Sequence, residues 1–366
     1  MVQICVFIIQ YQTSFDLSMY DYLVVGHGLA GALLSQELIE QGKSVLVVND
    51  QKNNSASNVA AGIYNPITGR KMKKTWMADD LFPMLAPYYS NLEKVLKASF
   101  LYDIGVYRPF FSIEQQNDWG INSKDEYDHF VESISNKRHP SLAYNDPYGG
   151  VYLKNAGYVD IKELLTSHKK YLVNKGCYKE MVFNKSLVKT VDNKLTFADI
   201  RCKRLVFCLG QGQVMAPYFD WLPFKLVKGE ILEVEMDINI ETIVNRGVFI
   251  VPKGNGIFRV GATYNWREVN EETTESGKIE LIDKLQTLYT GKYKIVGGTA
   301  GIRPATKDRR PFIGQHPIDK QMYVFNGFGS KGVSMVPHFA KKFVENLESG
   351  VSIKKEVNIS RYFSLM

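Results

Sequence analysis

Residues 20–50 read YDYLVVGHGLAGALLSQELIEQGKSVLVVND. The apolar run from Tyr22 to Val25 suits a buried parallel strand. Gly26-His27-Gly28-Leu29-Ala30-Gly31 follows as G-x-G-x-x-G. Leu33, Leu34 and Leu38 then recur among Ser35, Gln36, Glu37 and Glu40, the pattern of an amphipathic helix. Gly42 closes it, and Ser44 to Val48 returns as a second apolar strand. In such a unit the first glycine permits the tight turn and the second lets backbone approach a pyrophosphate. The third lets helix and strand pack closely. The bare N–H groups and positive dipole of the helix start then hold the phosphates.

Chance alone supplies a bare G-x-G-x-x-G roughly 0.2 times in a chain with this glycine content, so the triple by itself is weak. Its setting between a strand and a helix makes it strong; the competing reading is a glycine-rich turn without a ligand. An acidic residue is expected at the end of the second strand to hold a ribose. That place carries Asn49, with Asp50 next. Either side chain accepts a hydroxyl, Asn49 with less charge.

The chain has 366 residues, 45% of them hydrophobic, enough for a large core and for two domains. The net charge of +7 permits an anionic substrate or RNA without demanding one. Cys5, Cys177, Cys202 and Cys208 form no C-x-x-C, and the six histidines no metal pattern. Buried free thiols in a reducing, cytoplasmic setting are the simple reading. No stretch has the length of a transmembrane helix. The dinucleotide unit begins just after Met19, so residues 1–18 read as an N-terminal extension or as an extra strand.

Further along, Ala60-Ala61-Gly62-Ile63-Tyr64-Asn65-Pro66 places small residues where backbone must come close to something flat. Arg70, Lys71, Lys73 and Lys74 follow; a helix there puts Arg70 and Lys74 on one face, and a solvated basic face is the alternative. Helices are expected over about 81–99, 161–173, with Asp160 as N-cap, and 271–290. A strand is expected over 103–113, strands near 180–183 and 204–209, and a hairpin around Gly254-Asn255-Gly256. A second G-x-G-x-x-G, Gly327-Phe328-Gly329-Ser330-Lys331-Gly332, again lies between a strand and a helix. Too little chain follows for a second βαβ unit. This helix start instead suits an electron-rich group, unless the turn serves packing alone.

Five segments in this order resemble the amino-acid oxidase superfamily of flavoenzymes, which includes glycine oxidase, D-amino acid dehydrogenase and sarcosine oxidase. They are VVGHGLAG (24–31), AAGIYNP (60–66), RLVFCLG (204–210), GIRPATKD (301–308) and NGFGSKGVSMVP (326–337). LVKGEILEVE (226–235) is similar to the family's crossing segment. The resemblance implies an α/β Rossmann-like FAD-binding domain of the glutathione-reductase type, with a mixed-sheet, α+β substrate domain. The expected division is 19–80, 151–225 and 297–366 for FAD, and 81–150 and 226–296 for substrate.

It further implies non-covalent FAD and oxidation of a C–N bond next to a carboxylate in a small amine or amino acid. Arg303 falls where the family's carboxylate-binding arginine sits, and a planar guanidinium grips a carboxylate bidentately; a structural salt bridge is the competing role. Lys331 is a candidate to polarise the flavin, and Tyr64, Tyr264 and Arg70 to line the substrate side, with core packing the blander role for both tyrosines. The cofactor set is Gly26, Gly28, Leu29, Ala30, Gly31, Asn49, Asp50, Ala60, Ala61, Gly62, Val182, Gly210, Arg303, Gly327, Gly329, Ser330, Lys331 and Gly332. A reduced flavin carries negative charge that a helix start stabilises.

The GFGSKG loop also resembles the oxidase domain that processes carboxymethylaminomethyl-uridine in bacterial tRNA, so tRNA is an alternative partner. A third reading is a nucleotide-binding fold kept as a non-catalytic module. The flavin reading requires Gly28 and Gly329 to face one shared cavity.

Overall fold

The computed structural model describes residues 19–50, 56–122, 126–140, 143–191, 194–214, 216, 218–238 and 241–366. The questions about residues 1–18 and Cys5 lie outside them.

The first unit forms as its pattern dictates. The strand Met19–Val25 is followed by the helix Leu29–Glu40 and the strand Val45–Asn49. Met19–Val25 pairs in parallel with Val45–Asn49 on one side and Ile200–Phe207 on the other. Tyr178–Glu180 extends the sheet in parallel beyond Val45–Asn49, and Met322–Asn326 extends it beyond Ile200–Phe207. The strands Val188–Val191 and Lys194–Phe197 complete an antiparallel meander onto Ile200–Phe207. Apolar side chains fill both faces, with Leu23 and Val25 on one and Tyr22 and Val24 on the other.

The helices Leu29–Glu40 and Gly332–Ser349 pack against each other over this sheet. Ile161–Asn174 covers the same layer, capped by Asp160, whose Oδ1 accepts from the Glu163 N–H at 3.1 Å.

A second eight-stranded, largely antiparallel sheet stands beside the first. Its longest members, Phe224–Met236 and Tyr293–Thr306, pair along almost their whole length. Phe224 meets Phe312 of the first sheet edge to face at 4.9 Å, so this ladder ties the two sheets together. The hairpin Val248–Gly254 and Ile257–Gly261 turns at Asn255-Gly256, both with positive φ, as a tight primed turn needs. Glu275–Leu288 packs on this sheet, with Thr274 as N-cap.

Several expectations change. The helix expected over 81–99 divides into Ala78–Leu81, a 3-10 turn at Phe82–Met84 and the helix Leu85–Leu96, and the strand expected near 180–183 lies at Tyr178–Glu180. The strand expected over 103–113 shortens to Val106–Pro109, and Ile113–Asn122 is helical. The basic run forms no helix: Ile67–Thr68 and Lys73–Lys74 are a two-stranded hairpin, so Arg70 and Lys74 share no helix face. Buried Arg108 holds its turn by donating to the Ile67 and Gly69 carbonyls. The helix expected from 271 starts only after the Thr274 cap.

Candidate active site

A cavity of about 1100 Å³ lies between the sheets. That exceeds the usual range for one drug-sized ligand. Gly28 and Gly329 both lie on its wall, so the helix starts that the two glycine turns feed open onto the same space. Neither helix has a side-chain cap hydrogen bond at its N-cap residue or an acidic residue in its first turn. Ser57 Oγ accepts from the Leu29 N–H at 3.1 Å, and no charged side chain of either first turn offsets the positive helix ends.

Local sequence explains the cradle. A Cβ on Gly31 would lie 1.9 Å from the Gly26 carbonyl, so only glycine lets the helix sit on the strand. Gly62 has φ +74, and a Cβ there would meet the Val159 carbonyl at 1.9 Å. By contrast Gly28 is open, with Ser57 Oγ as the nearest atom to its would-be Cβ, at 3.3 Å. Such a cradle, with the small residues Ala60, Ala61 and Gly62 also on the wall, fits the phosphates and the flat ring of FAD. Asn326 joins the strand ends by donating to the Gly210 carbonyl at 2.9 Å.

Gly26, Leu29, Ala30, Asn49, Asp50, Val182, Gly210, Arg303, Ser330 and Gly332 also line the cavity. Asn49 accepts from the His27 N–H at 2.9 Å, so its side chain fixes the glycine turn while the residue lines the cavity. Gly31 and Gly327 do not line the wall. Gly327 packs on Thr306 and Phe312 with φ +81.

Lys331 stands outside the lining too; half-buried beside Arg108, its ammonium is pushed down to about 8, by burial first and then by the guanidinium. Tyr64 is buried and donates to Asp103 at 2.8 Å, which turns it into the core. Arg70 rests over the Phe111 ring, away from the cavity. Tyr264 is not in the lining but flanks it, its ring 5.8 Å from the Arg303 guanidinium.

Arg303 itself is largely buried, which lowers its pKa. Nη1 donates to the Lys228 and Thr263 carbonyls, each at 3.3 Å. Among the described residues no acidic side chain pairs with it, so the competing salt bridge is absent there, and Arg303 lines the cavity.

Its seat is built by the crossing segment. Lys228 is fully buried, 3.6 Å from Glu230 and 2.7 Å from Asn270 Oδ1. Glu230 accepts from the Thr274 N–H and hydroxyl, both at 2.8 Å. Gly229 between them leaves room for the guanidinium.

Several participants gave no signal beforehand. His27 and His168, 141 residues apart, meet at 2.9 Å under the glycine turn. Arg259 donates to the Ala60 carbonyl at 3.3 Å and joins the second sheet to the flat-ring loop. Phe249, Ile231 and Ala262 line the cavity from the second sheet. Among the described residues no acid, histidine and cysteine cluster fits a metal, and no helix is long and apolar enough to cross a membrane.

A Rossmann-type sheet and a strand-built wall that enclose one cavity, with an arginine lacking an acidic partner among the described residues on that wall, define an FAD-binding oxidoreductase. The FAD dependent oxidoreductase family model matches residues 21–346, and the chain belongs to that family. It is 24% identical over 306 residues to a tRNA 5-methylaminomethyl-2-thiouridine biosynthesis bifunctional protein of Campylobacter concisus, covering 80% of this chain and 46% of that protein. It is 36% identical over 118 residues to glycine oxidase of Bacillus licheniformis, covering 31% and 32%. The chain thus spans about a third to a half of the length of these curated relatives.

Glycine oxidase of Geobacillus kaustophilus superposes with a TM-score of 0.72 at 19% identity, covering 94% and 98% of the two chains. Iminodiacetate oxidase of Chelativorans gives 0.73 at 18%, covering 93% and 98%. These structures establish the shared fold.

Proposed function

We propose that the chain oxidises the C–N bond of a small amine or amino acid that carries a carboxylate. The observation that carries this reading is Arg303. It is a guanidinium without an acidic partner among the described residues, on the wall of the cavity that the dinucleotide turn also lines. FAD, when bound, supplies the two-electron acceptor for hydride from the carbon beside the amine.

The protein's own part is positional. Arg303 grips the carboxylate bidentately, which fixes the direction of the Cα–H bond. Phe249, Ile231 and Phe328 exclude water around it. The start of Gly332–Ser349 offsets negative charge at the inner end. The resulting imine hydrolyses to a carbonyl and an amine. No side-chain base is required when the amine enters neutral. Free, buried thiols at Cys202 and Cys208 fit a reducing cytoplasm.

The test is an absorption spectrum of the purified protein, then anaerobic titration with glycine, sarcosine, iminodiacetate and D- and L-amino acids. Bleaching of a flavin band by an amino carboxylate, lost in Arg303→Ala, is the expected result. A flavin band that none of them bleaches refutes the reading.

A second reading, a carboxymethylamino group carried on tRNA, is favoured by the tRNA-modifying relative that aligns over 80% of the chain. Salt-dependent tRNA binding supports it, and absence of binding at low salt refutes it.

A further inference from the structure

The segment 263–269 borders the cavity between Ala262 and Val269, which line it, and next to Arg303. Tyr264 and Trp266 stand there, 54% and 56% exposed, with ring centroids 6.3 Å apart and edge to face. They are not strays on a remote surface. Thr263, just before them, accepts from Arg303, and Val269, just after, lines the cavity. The Tyr264 ring lies against the Arg303 guanidinium, and exposed Lys225 sits 6.0 Å from the Trp266 ring. At its far end the segment is tied down by a Gln211–Glu271 hydrogen bond. Two large rings half out of water beside a cavity are uncovered binding area. Their faces and the neighbouring cation suit a flat, π-rich partner better than an aliphatic one.

We infer that Tyr264 and Trp266 form a stacking platform for a planar, π-bearing substituent on the substrate's amine nitrogen. This rests on Arg303 as the carboxylate anchor. A small amine held there leaves the platform bare, whereas an N-substituted glycine with a flat group extends outward across it. The substrate class is then an N-(arylmethyl)glycine in the broad sense, the ring being a free aromatic group or a nucleobase. Aromatic stacking of one base contributes about tenfold or more in affinity.

The experiment uses the FAD-loaded protein and carboxylates that cannot be oxidised at nitrogen: methoxyacetate, (cyclohexylmethoxy)acetate and (benzyloxy)acetate. Binding is read from the perturbed flavin spectrum. The aromatic acid is expected to bind about tenfold tighter than the cyclohexyl acid. Trp266→Leu should erase that preference while methoxyacetate binding stays, and Arg303→Ala should weaken all three acids.

Equal binding of the aromatic and cyclohexyl acids overturns the platform and leaves Arg303 standing. Failure of every acid to bind overturns the anchor itself. A change of sedimentation in Trp266→Leu shows that the rings pair with a second copy, and also overturns the inference. Turnover of N-benzylglycine against 5-(carboxymethylaminomethyl)uridine tells the two sources of the ring apart; preference for either supports the platform.

Discussion

A Cβ placed on Gly229 would lie 1.9 Å from Nη2 of Arg303 and 2.2 Å from its Cζ. The glycine of the crossing segment is therefore a seat for the guanidinium. The overlapping atoms are the end of a long side chain, so Gly229→Ala can be met by moving Arg303 rather than backbone. The expected outcome is a folded, flavin-loaded protein whose affinity for carboxylates falls about tenfold or more, the weight of a charged hydrogen bond. Ligand titration against a melting curve checks it; unchanged affinity would mean that Arg303 does not hold its ligand from this position.

Lys228 and Glu230 flank that seat and are both buried. Replacing Lys228 by Met leaves the Glu230 carboxylate buried beside Thr274 without its cation. The expected cost is about 3–5 kcal/mol in denaturant unfolding. Lys228→Met with Glu230→Gln should recover part of it, because the amide oxygen still accepts from Thr274 and carries no charge. A double variant no better than the single one would show that the ion pair is not what matters.

Gly62 and Gly176 separate two kinds of glycine. Both have positive φ, +74 and +67, but a Cβ at Gly62 overlaps the Val159 carbonyl while at Gly176 nothing lies within 4 Å. Gly176→Ala should cost about 1 kcal/mol, the strain of a left-handed alanine. Gly62→Ala must move backbone that lines the cavity and should cost about 4 kcal/mol or more, with loss of bound flavin. Flavin content and thermal midpoints of the two variants make the comparison.

What the sequence disclosed followed local physics. The strand–turn–helix around Gly26, Gly28 and Gly31, the Asp160 cap, and the paired glycine turns were legible because each is set within a few residues. Arg303 was legible only through resemblance, since nothing local distinguishes it from a solvated arginine. The basic run at Arg70 to Lys74 misled, because its conformation is imposed by Arg108, a long-range contact with no local trace. Lys331 is outside the cavity lining, and the burial and charge that lower its pKa come from distant chain and Arg108, which leave no local trace.

The His27–His168 pair carries the pH prediction. The rings stack at 5.2 Å with His27 Nε2 facing His168 Nδ1, and Tyr178 closes the edge of His27. Among the described residues His168 Nε2 has no hydrogen-bond partner. Burial, with Lys169 adding to it, pushes His27 down to about 4, and burial followed by His27 pushes His168 well below its usual range.

Both are neutral in the folded protein near neutral pH, one donating to the other, whereas in the unfolded chain both titrate near 6.5. Between those values the unfolded state binds more protons, so stability falls as pH drops from about 6.5 toward 4. His27 alone accounts for about 3 kcal/mol over that window. His168→Leu, which removes one of the two groups and the unpartnered nitrogen, should flatten the fall. A chemical-denaturation series from pH 7.5 to 4.5 measures it, and parallel curves for the parent and the variant would show that the acid loss arises elsewhere.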